Sequence, residues 1–308
     1  MKKLLFTLLA AAAVVGCDKE DNYSADNVVK FSSEAISTRI DTSTNQWIAG
    51  DLIGITSSGF ASAGFSSEFK NVKYKAASSA ASTNFTVADG ETQIVYPNVS
   101  QSSNVAFYAY YPQNTLESDD TLIVDVSTQN SSGLAAVDFM TASNSVDYSD
   151  NNYKDVEFTF GHKLSQVVMD ISCNDDLASL DGLIATISSI ETKGSYYVCD
   201  ATNLGTLKGS LSDQGSVELI VPTTSSTTET VTITAILHPG VYTTPTLTFE
   251  TSSKKYSVTF ATTLVAGSSH TFNIALGYDL VGFTSGSTIG TWQSGGTSTL
   301  YPEIVTSN

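Results

Sequence analysis

The chain has 308 residues, 41% of them hydrophobic, which is enough for about two domains with buried cores. Its 14 Lys and Arg against 31 Asp and Glu give a formal charge of −17, a surface field that repels phosphate backbones and excludes nucleic acid as a partner. Only 15% of residues are charged while Ser, Thr, Gly and Asn crowd the sequence, a composition that solvates sheet surfaces and supports long helices poorly, so an all-β fold is expected.

Lys2 and Lys3 precede an apolar run from Leu4 to Val15, too short to span a bilayer but of the size of a secretory signal. It ends in Val14-Val15-Gly16-Cys17. Small residues before a cysteine resemble the bacterial lipobox, in which the signal (1–16) is removed and Cys17 carries the lipid; an ordinary signal with an incidental cysteine is the alternative. Each buried acyl methylene is worth roughly 0.8 kcal/mol, so several chains would hold the protein firmly at a membrane. Asp18-Lys19-Glu20-Asp21, at the head of a tether over 17–27, resembles the Lys-plus-acid signal that routes lipoproteins to the outer face of the outer membrane; a plain solvated tether reads the same. No later stretch is apolar enough to cross a membrane, so the lipid would be the only anchor.

Period-2 alternation then recurs between polar turn clusters, as in sandwiches of short strands. Strands are expected at 28–33, 52–56, 84–87, 91–96, 104–111, 121–127, 155–160, 164–172, 183–190, 216–221, 229–237, 246–250, 255–262 and 269–276, with one short helix near 175–180. Arg39, the only arginine, lies in the polar stretch Ser37-Thr38-Arg39-Ile40-Asp41-Thr42, where a loop would be open to a protease or would simply carry a surface charge. Asn, Ser and Asp over 141–153 mark an expected linker between an N-terminal domain (28–153) and a C-terminal one (154–308). The Gly- and Ser-rich stretch 285–296 opens the tail.

Signals for chemistry are weak. The sequence lacks a Gly-x-Ser-x-Gly elbow, a His-Glu-x-x-His, a phosphate-cradling glycine loop and a Cys-x-x-Cys, so the chain is read as a non-enzyme without cofactor; only a glycosidase, which needs no more than two carboxylates, stays open. Asp147, Asp150, Asn152 and Asp155 have oxygen ligands at loop spacing but lack the glycine and terminal Glu of an EF-hand, and a solvated linker is the better reading. Cys173 and Cys199 each end a strand-like run; a disulfide and two buried free thiols fit equally. His162 at the head of a strand reads as structural, and Trp47 and Trp292 as packing residues more than sugar platforms.

The segment Trp47-Ile48-Ala49-Gly50-Asp51-Leu52-Ile53-Gly54-Ile55, preceded by Thr38-Arg39, resembles the opening of fimbrillin-type pilins, the subunits of type V pili of Gram-negative anaerobes. Val105-Ala106-Phe107-Tyr108-Ala109-Tyr110-Tyr111-Pro112, Asp138-Phe139-Met140-Thr141-Ala142 and Phe158-Thr159-Phe160-Gly161-His162-Lys163-Leu164-Ser165-Gln166-Val167 resemble later landmarks of that family, in order. Ala266-Gly267 before Phe272-Asn273-Ile274, then Ile289-Gly290-Thr291-Trp292, resembles its ending.

The resemblance implies a lipoprotein precursor with two transthyretin-like Greek-key β-sandwich domains in tandem, exported to the cell surface and cut by an arginine-specific protease between Arg39 and Ile40. Loss of 28–39 would open a groove that an extended segment of another pilin subunit fills, giving a head-to-tail fimbrium that serves adhesion to host surface ligands. The donor is expected in 297–305, with Leu300, Tyr301, Ile304 and Val305 as its apolar residues, or, because Pro302 removes a ladder donor, around 287–292. A stalk or accessory stalk subunit fits such a donor. The competing reading is a monomeric, lipid-anchored glycan-binding protein using aromatic platforms.

Overall fold

A computed structural model describes residues 27–34, 46–60, 68–96, 102–149, 152–173, 177–277, 293–300 and 303–304. In chain order its strands are β1 Phe31–Ser33, β2 Leu52–Ser58, β3 Val72–Ala76, β4 Thr83–Val87, β5 Ser103–Tyr111, β6 Thr121–Asp125, β7 Met140–Tyr148, β8 Val156–Phe158, β9 Gly161–His162, β10 Ser165–Cys173, β11 Ile184–Tyr197, β12 Ser212–Glu218, β13 Thr230–Leu237, β14 Gly240–Tyr242, β15 Thr246–Glu250, β16 Lys255–Thr259, β17 Thr262–Leu264, β18 Ser268–Leu276, β19 Gln293–Leu300 and β20 Glu303–Ile304. One α-helical turn, α1 (Gln129–Ser132), interrupts them among the described residues. The chain is all-β.

Alternation along β5 shows how the sequence builds two cores. Val105, Phe107, Ala109 and Tyr111 turn into the first, while Tyr110, on the opposite face, joins the second. The first core lies within one eight-stranded sheet of order β8-β1-β4-β3-β2-β5-β7-β9. Its two outermost strands are consecutive in sequence, and across the seam the Asn144 amide on β7 donates to the Glu157 carbonyl on β8 (2.7 Å), so the sheet curls toward closure around its own side chains. Aromatic rings fill the interior, including Trp47, Phe60, Tyr74, Tyr96, Phe107 and Phe158.

The second core lies between a four-stranded sheet, β13-β10-β18-β19, and a six-stranded one, β12-β11-β15-β16-β20, with β6 added against the far half of β11. Val167, Met169 and Ile171 on β10 and Phe272 and Ile274 on β18 face Ala185 and Ile187 on β11 and Leu247 and Phe249 on β15. The edge of β13 is capped at Ile236 by one side chain. Fully buried Gln129 accepts from the Ile236 amide (3.0 Å) and donates to the Ile236 carbonyl (3.0 Å), copying the bonds of a neighbouring strand.

Several expectations are corrected. The stretch 141–153, expected to be a linker, is mostly strand: β7 pairs with β5 over nine residues, its Ser143, Ser145 and Asp147 exposed. The chain also enters the second core early, since Leu122, Val124, Val126, Leu134, Val137 and Phe139 all pack there before β7, β8 and β9 return to the first sheet. Residues 91–96 make only an isolated bridge, Val95 with Val28, although Ile94, Val95 and Tyr96 are buried. Residues 177–180 are not helical; Leu177 and Leu180 anchor an irregular segment in the second core.

Candidate functional site

The feature that distinguishes this fold is the position of its first strand. β1 sits inside the eight-stranded sheet, antiparallel to β4 on one side and parallel to β8 on the other. Its flanks are tied as well. Tyr96 N–H donates to Asn27 O (2.8 Å), Asn27 Nδ2 to Tyr96 O (3.1 Å), Val29 N–H to Ile94 O (3.1 Å), Val156 N–H to Lys30 O (2.8 Å) and Glu34 N–H to Phe158 O (3.0 Å).

Period-2 geometry points Val29, Phe31 and Ser33 inward, each at most 2% exposed. The Phe31 ring meets Tyr74 (5.0 Å) and Phe107 (5.2 Å) edge-on and stacks on Phe158 (5.7 Å). Ser33 serves a polar need of the core, because its Oγ accepts from the buried Trp47 indole N–H at 2.7 Å. Burial of the Tyr74 phenol beside this plug pushes its pKa up to about 12. The groove left without β1 therefore has two apolar pockets, one indole donor, and the backbone edges of β4 and β8.

Arg39 and Ile40 lie at 35–45, outside the described residues, as do Cys17, Tyr301 and Val305. That stretch is the sole chain connection from β1 to the rest of the sheet. The expected donor 297–305 is divided. Leu300 closes β19, in register with Ile274 of β18, whereas Ile304 lies in β20, opposite Tyr256 of β16. The two strands border different sheets on either side of residues 301–302, which include Pro302. Residues 287–292 are outside the described residues.

Cys173 and Cys199 are free thiols, which corrects the disulfide alternative. Cys199 Sγ lies 3.2 Å from Thr56 Oγ1, and Cys173 Sγ lies 4.0 Å from the Thr228 carbonyl. Thr228 O in turn bonds Leu180 just before β11, whereas Cys199 lies past the other end of that 14-residue strand, roughly 40 Å along it. Burial pushes both thiols up.

His162 is structural in role: its Nδ1 lies 2.6 Å from Oδ1 of fully buried Asp138. The sequence landmarks meet at this point. Lys163 N–H donates to Phe139 O (2.9 Å) and Gly267 N–H to Leu164 O (2.8 Å), so the segments around Asp138, His162 and Gly267 form one joint between the two cores. A Cβ on Gly54 would intrude on the Tyr110 ring and Asn71 Oδ1, which brings the Trp47 and Val105 landmarks together as well. Asp147 is engaged by Asn104 Nδ2 (2.8 Å), and among the described residues no group of His, Cys, Asp and Glu is placed to hold a metal. An open depression of about 620 Å³ lies against β10, β13 and β18, with Asp170, Thr232 and Asn273 in its lining and no aromatic ring among the described residues that line it. Trp47 is packed edge-on against Phe85, Tyr111 and Phe160 inside the first core.

The sequence pattern of the fimbrillin-like family matches residues 38–292. The chain belongs to the fimbrillin-like family. A curated relative from Bacteroides uniformis, designated fimbrium subunit Fim1C, is 34% identical over 224 residues, covering 68% of this chain and 70% of its own. A crystal structure of a protein designated as a cell adhesion protein, also from Bacteroides uniformis, superposes with a TM-score of 0.62 at 25% identity, covering 82% of this chain and 94% of that one. A second one, from Bacteroides ovatus, shares the fold with a TM-score of 0.64 at 16% identity over 82% of this chain and 93% of its own. Among the described residues no helix is long and apolar enough to cross a membrane.

Proposed function

We propose that this fimbrillin is the precursor of a structural subunit of a cell-surface fimbrium, assembled by strand exchange after cleavage at Arg39. The observation that carries this reading is β1: an interior strand joined to its own sheet through a single stretch that holds the only arginine of the chain. Cys17 carries the lipid that delivers the precursor to the outer membrane, and an arginine-specific protease then separates 17–39, with β1, from the remainder. An extended segment of a second subunit enters the groove between β4 and β8. Because donor and acceptor are different surfaces, the contact does not close on itself and grows as a filament. The two cores correspond, on this reading, to two transthyretin-like sandwich domains, with β6 lent to the second. The names of its relatives, a fimbrium subunit and a cell adhesion protein, accord with a role in adhesion.

The test is digestion of the precursor without residues 1–17 by an arginine-specific protease, followed by mass and by an unboiled denaturing gel. One cut, loss of the fragment ending at Arg39, and a ladder of detergent-resistant oligomers are expected. An Arg39→Ala control should remain monomeric. A cut protein that stays monomeric would sink the stalk role and favour a lipid-anchored glycan binder, to which the interior position of Trp47 gives no support.

A further inference from the structure

The groove sets a template: an apolar residue in the Val29 pocket, an aromatic one in the Phe31 pocket, and a hydroxyl at Ser33 for the Trp47 indole. Six Val-x-Phe triplets occur in the sequence, beginning at Val29, Val105, Val137, Val156, Val258 and Val281. Those at 105, 137, 156 and 258 are already packed in or against the two cores. The triplet at Val281 is also the only other one followed by serine at the position of Ser33: Asp279-Leu280-Val281-Gly282-Phe283-Thr284-Ser285 parallels Asn27-Val28-Val29-Lys30-Phe31-Ser32-Ser33. Identity falls on the three inward positions; of the four replacements between and beside them, Asn to Asp, Val to Leu and Ser to Thr keep size and character, and Lys30, which is exposed, becomes Gly282.

We propose that the strand which replaces β1 is 279–285 of a second copy of this chain, with Val281, Phe283 and Ser285 in the places of Val29, Phe31 and Ser33. This deepens the strand-exchange reading and rests on it. The course of β18 forces the contact to be between molecules. Its first residues lie at the joint with the first sheet, where a Cβ on Gly267 would be 3.2 Å from the His162 carbonyl, and its last residue, Leu276, pairs with Cys173 at the far end of the second core. The nine residues of β18 span about 27 Å. Asp279, three residues past Leu276, reaches only about 10 Å beyond it, so 279–285 falls short of its own groove. Once extended outward, the eight residues from Ser285 to Gln293 cover at most about 27 Å, too little to bring β19 back beside Ser268. Donation therefore releases β19 and β20 from their own sheet edges.

The test is a register-specific disulfide between precursors that lack residues 1–17, and with them Cys17, and carry Cys173→Ser and Cys199→Ser. Ser32 pairs with exposed Asn84, so Thr284, standing where Ser32 stands, faces Asn84 in the proposed register. Cross-strand Cα separations of about 4.5–5.5 Å suit a disulfide. One precursor carries Asn84→Cys and the other Thr284→Cys; a parallel mixture replaces the second by Val305→Cys, which would face Asn84 if Ile304 took the Phe31 pocket. After cleavage and mild oxidation, the Thr284→Cys mixture should give a disulfide-linked dimer, and both the Val305→Cys mixture and the uncut samples should give none. An oligomer ladder without the Thr284 bond, or with the Val305 bond instead, overturns 279–285 as the donor and leaves strand exchange standing. No ladder in any cut sample overturns strand exchange itself, and this assignment with it.

Discussion

Replacing Phe31 by alanine isolates the hold that the sheet has on its first strand. Phe31 is 1% exposed and touches three rings within 5.7 Å, so its truncation leaves a cavity walled by Tyr74, Phe107 and Phe158 that these large side chains cannot refill. Such Phe→Ala changes cost about 3–5 kcal/mol. At roughly 2–4 °C per kcal/mol, the uncut precursor should melt about 10 °C lower. After the cut the same deficit acts on retention of the separated fragment, lowering its occupancy constant by about a hundredfold or more. Trp47 reports this directly, since its indole N–H donates to Ser33 Oγ and loses that acceptor when the strand leaves. Tryptophan fluorescence after protease addition should therefore change faster in Phe31→Ala than in the parent, while polymers formed from the two precursors should melt alike, because residue 31 is no longer in them. Equal melting of the uncut proteins, or an unchanged release rate, would refute the claim that this ring pins the strand.

Three further outcomes follow from the packing. Gly54→Ala drives a methyl group into the Tyr110 ring and Asn71, and should destabilise the folded protein by about 1–3 kcal/mol in chemical denaturation. Gln129→Ala strips the Ile236 amide and carbonyl of their partner inside the second core; a loss of about 2 kcal/mol is expected, with increased self-association by light scattering as the β13 edge opens. His238 is fully buried, with Nε2 3.1 Å from the Thr192 carbonyl and Nδ1 2.7 Å from the Tyr196 hydroxyl, contacts that the neutral ring satisfies by donating from Nε2–H and accepting at Nδ1. Burial lowers its pKa from the ordinary 6.5, so the unfolded chain takes up the proton first. Stability should be full above about pH 6.5 and fall as the pH drops through the folded-state value, and His238→Asn should flatten that slope in melts between pH 7 and 5.

How far the sequence discloses such a fold depends on where its partners lie. β1, β5, β10, β13 and β18 are legible because their alternation carries large apolar side chains at every second position, a signal local to the strand. β7 is hidden by the same rule: its exposed face is Ser143, Ser145 and Asp147, and polar density reads as a linker unless the nine-residue pairing with β5 is known. The role of Gln129 has no sequence signal, since its partner Ile236 is 107 residues away. Asp138 and His162 are both visible as family landmarks, but their contact, 24 residues apart in sequence, comes from the turn that places β9 beside β7. The site itself is half legible. The inward residues of β1 and the unique arginine stand in the sequence, whereas the flanking of β1 by β4 and β8, which makes its loss consequential, is a property of topology alone.

Cleavage is also what makes exchange thermodynamically possible on this reading. While the chain is intact, β1 is tethered to its groove through 35–45, and short tethers give effective concentrations of about 1 mM. A free donor of equal affinity at about 1 μM then loses by roughly a thousandfold. Cutting the tether turns β1 into a separate fragment at no more than the protein concentration, so a donor with the same inward side chains competes on equal terms and gains whatever additional contacts the second subunit makes. No conformational spring is required, only dilution. A synthetic peptide of residues 26–34, added in large excess to freshly cut protein, should restore the lost advantage and suppress the oligomer ladder in proportion to its concentration, while the same peptide with Phe31→Ala should not. Assembly indifferent to the wild-type peptide at about 1 mM would mean that something other than occupancy of this groove limits polymer growth.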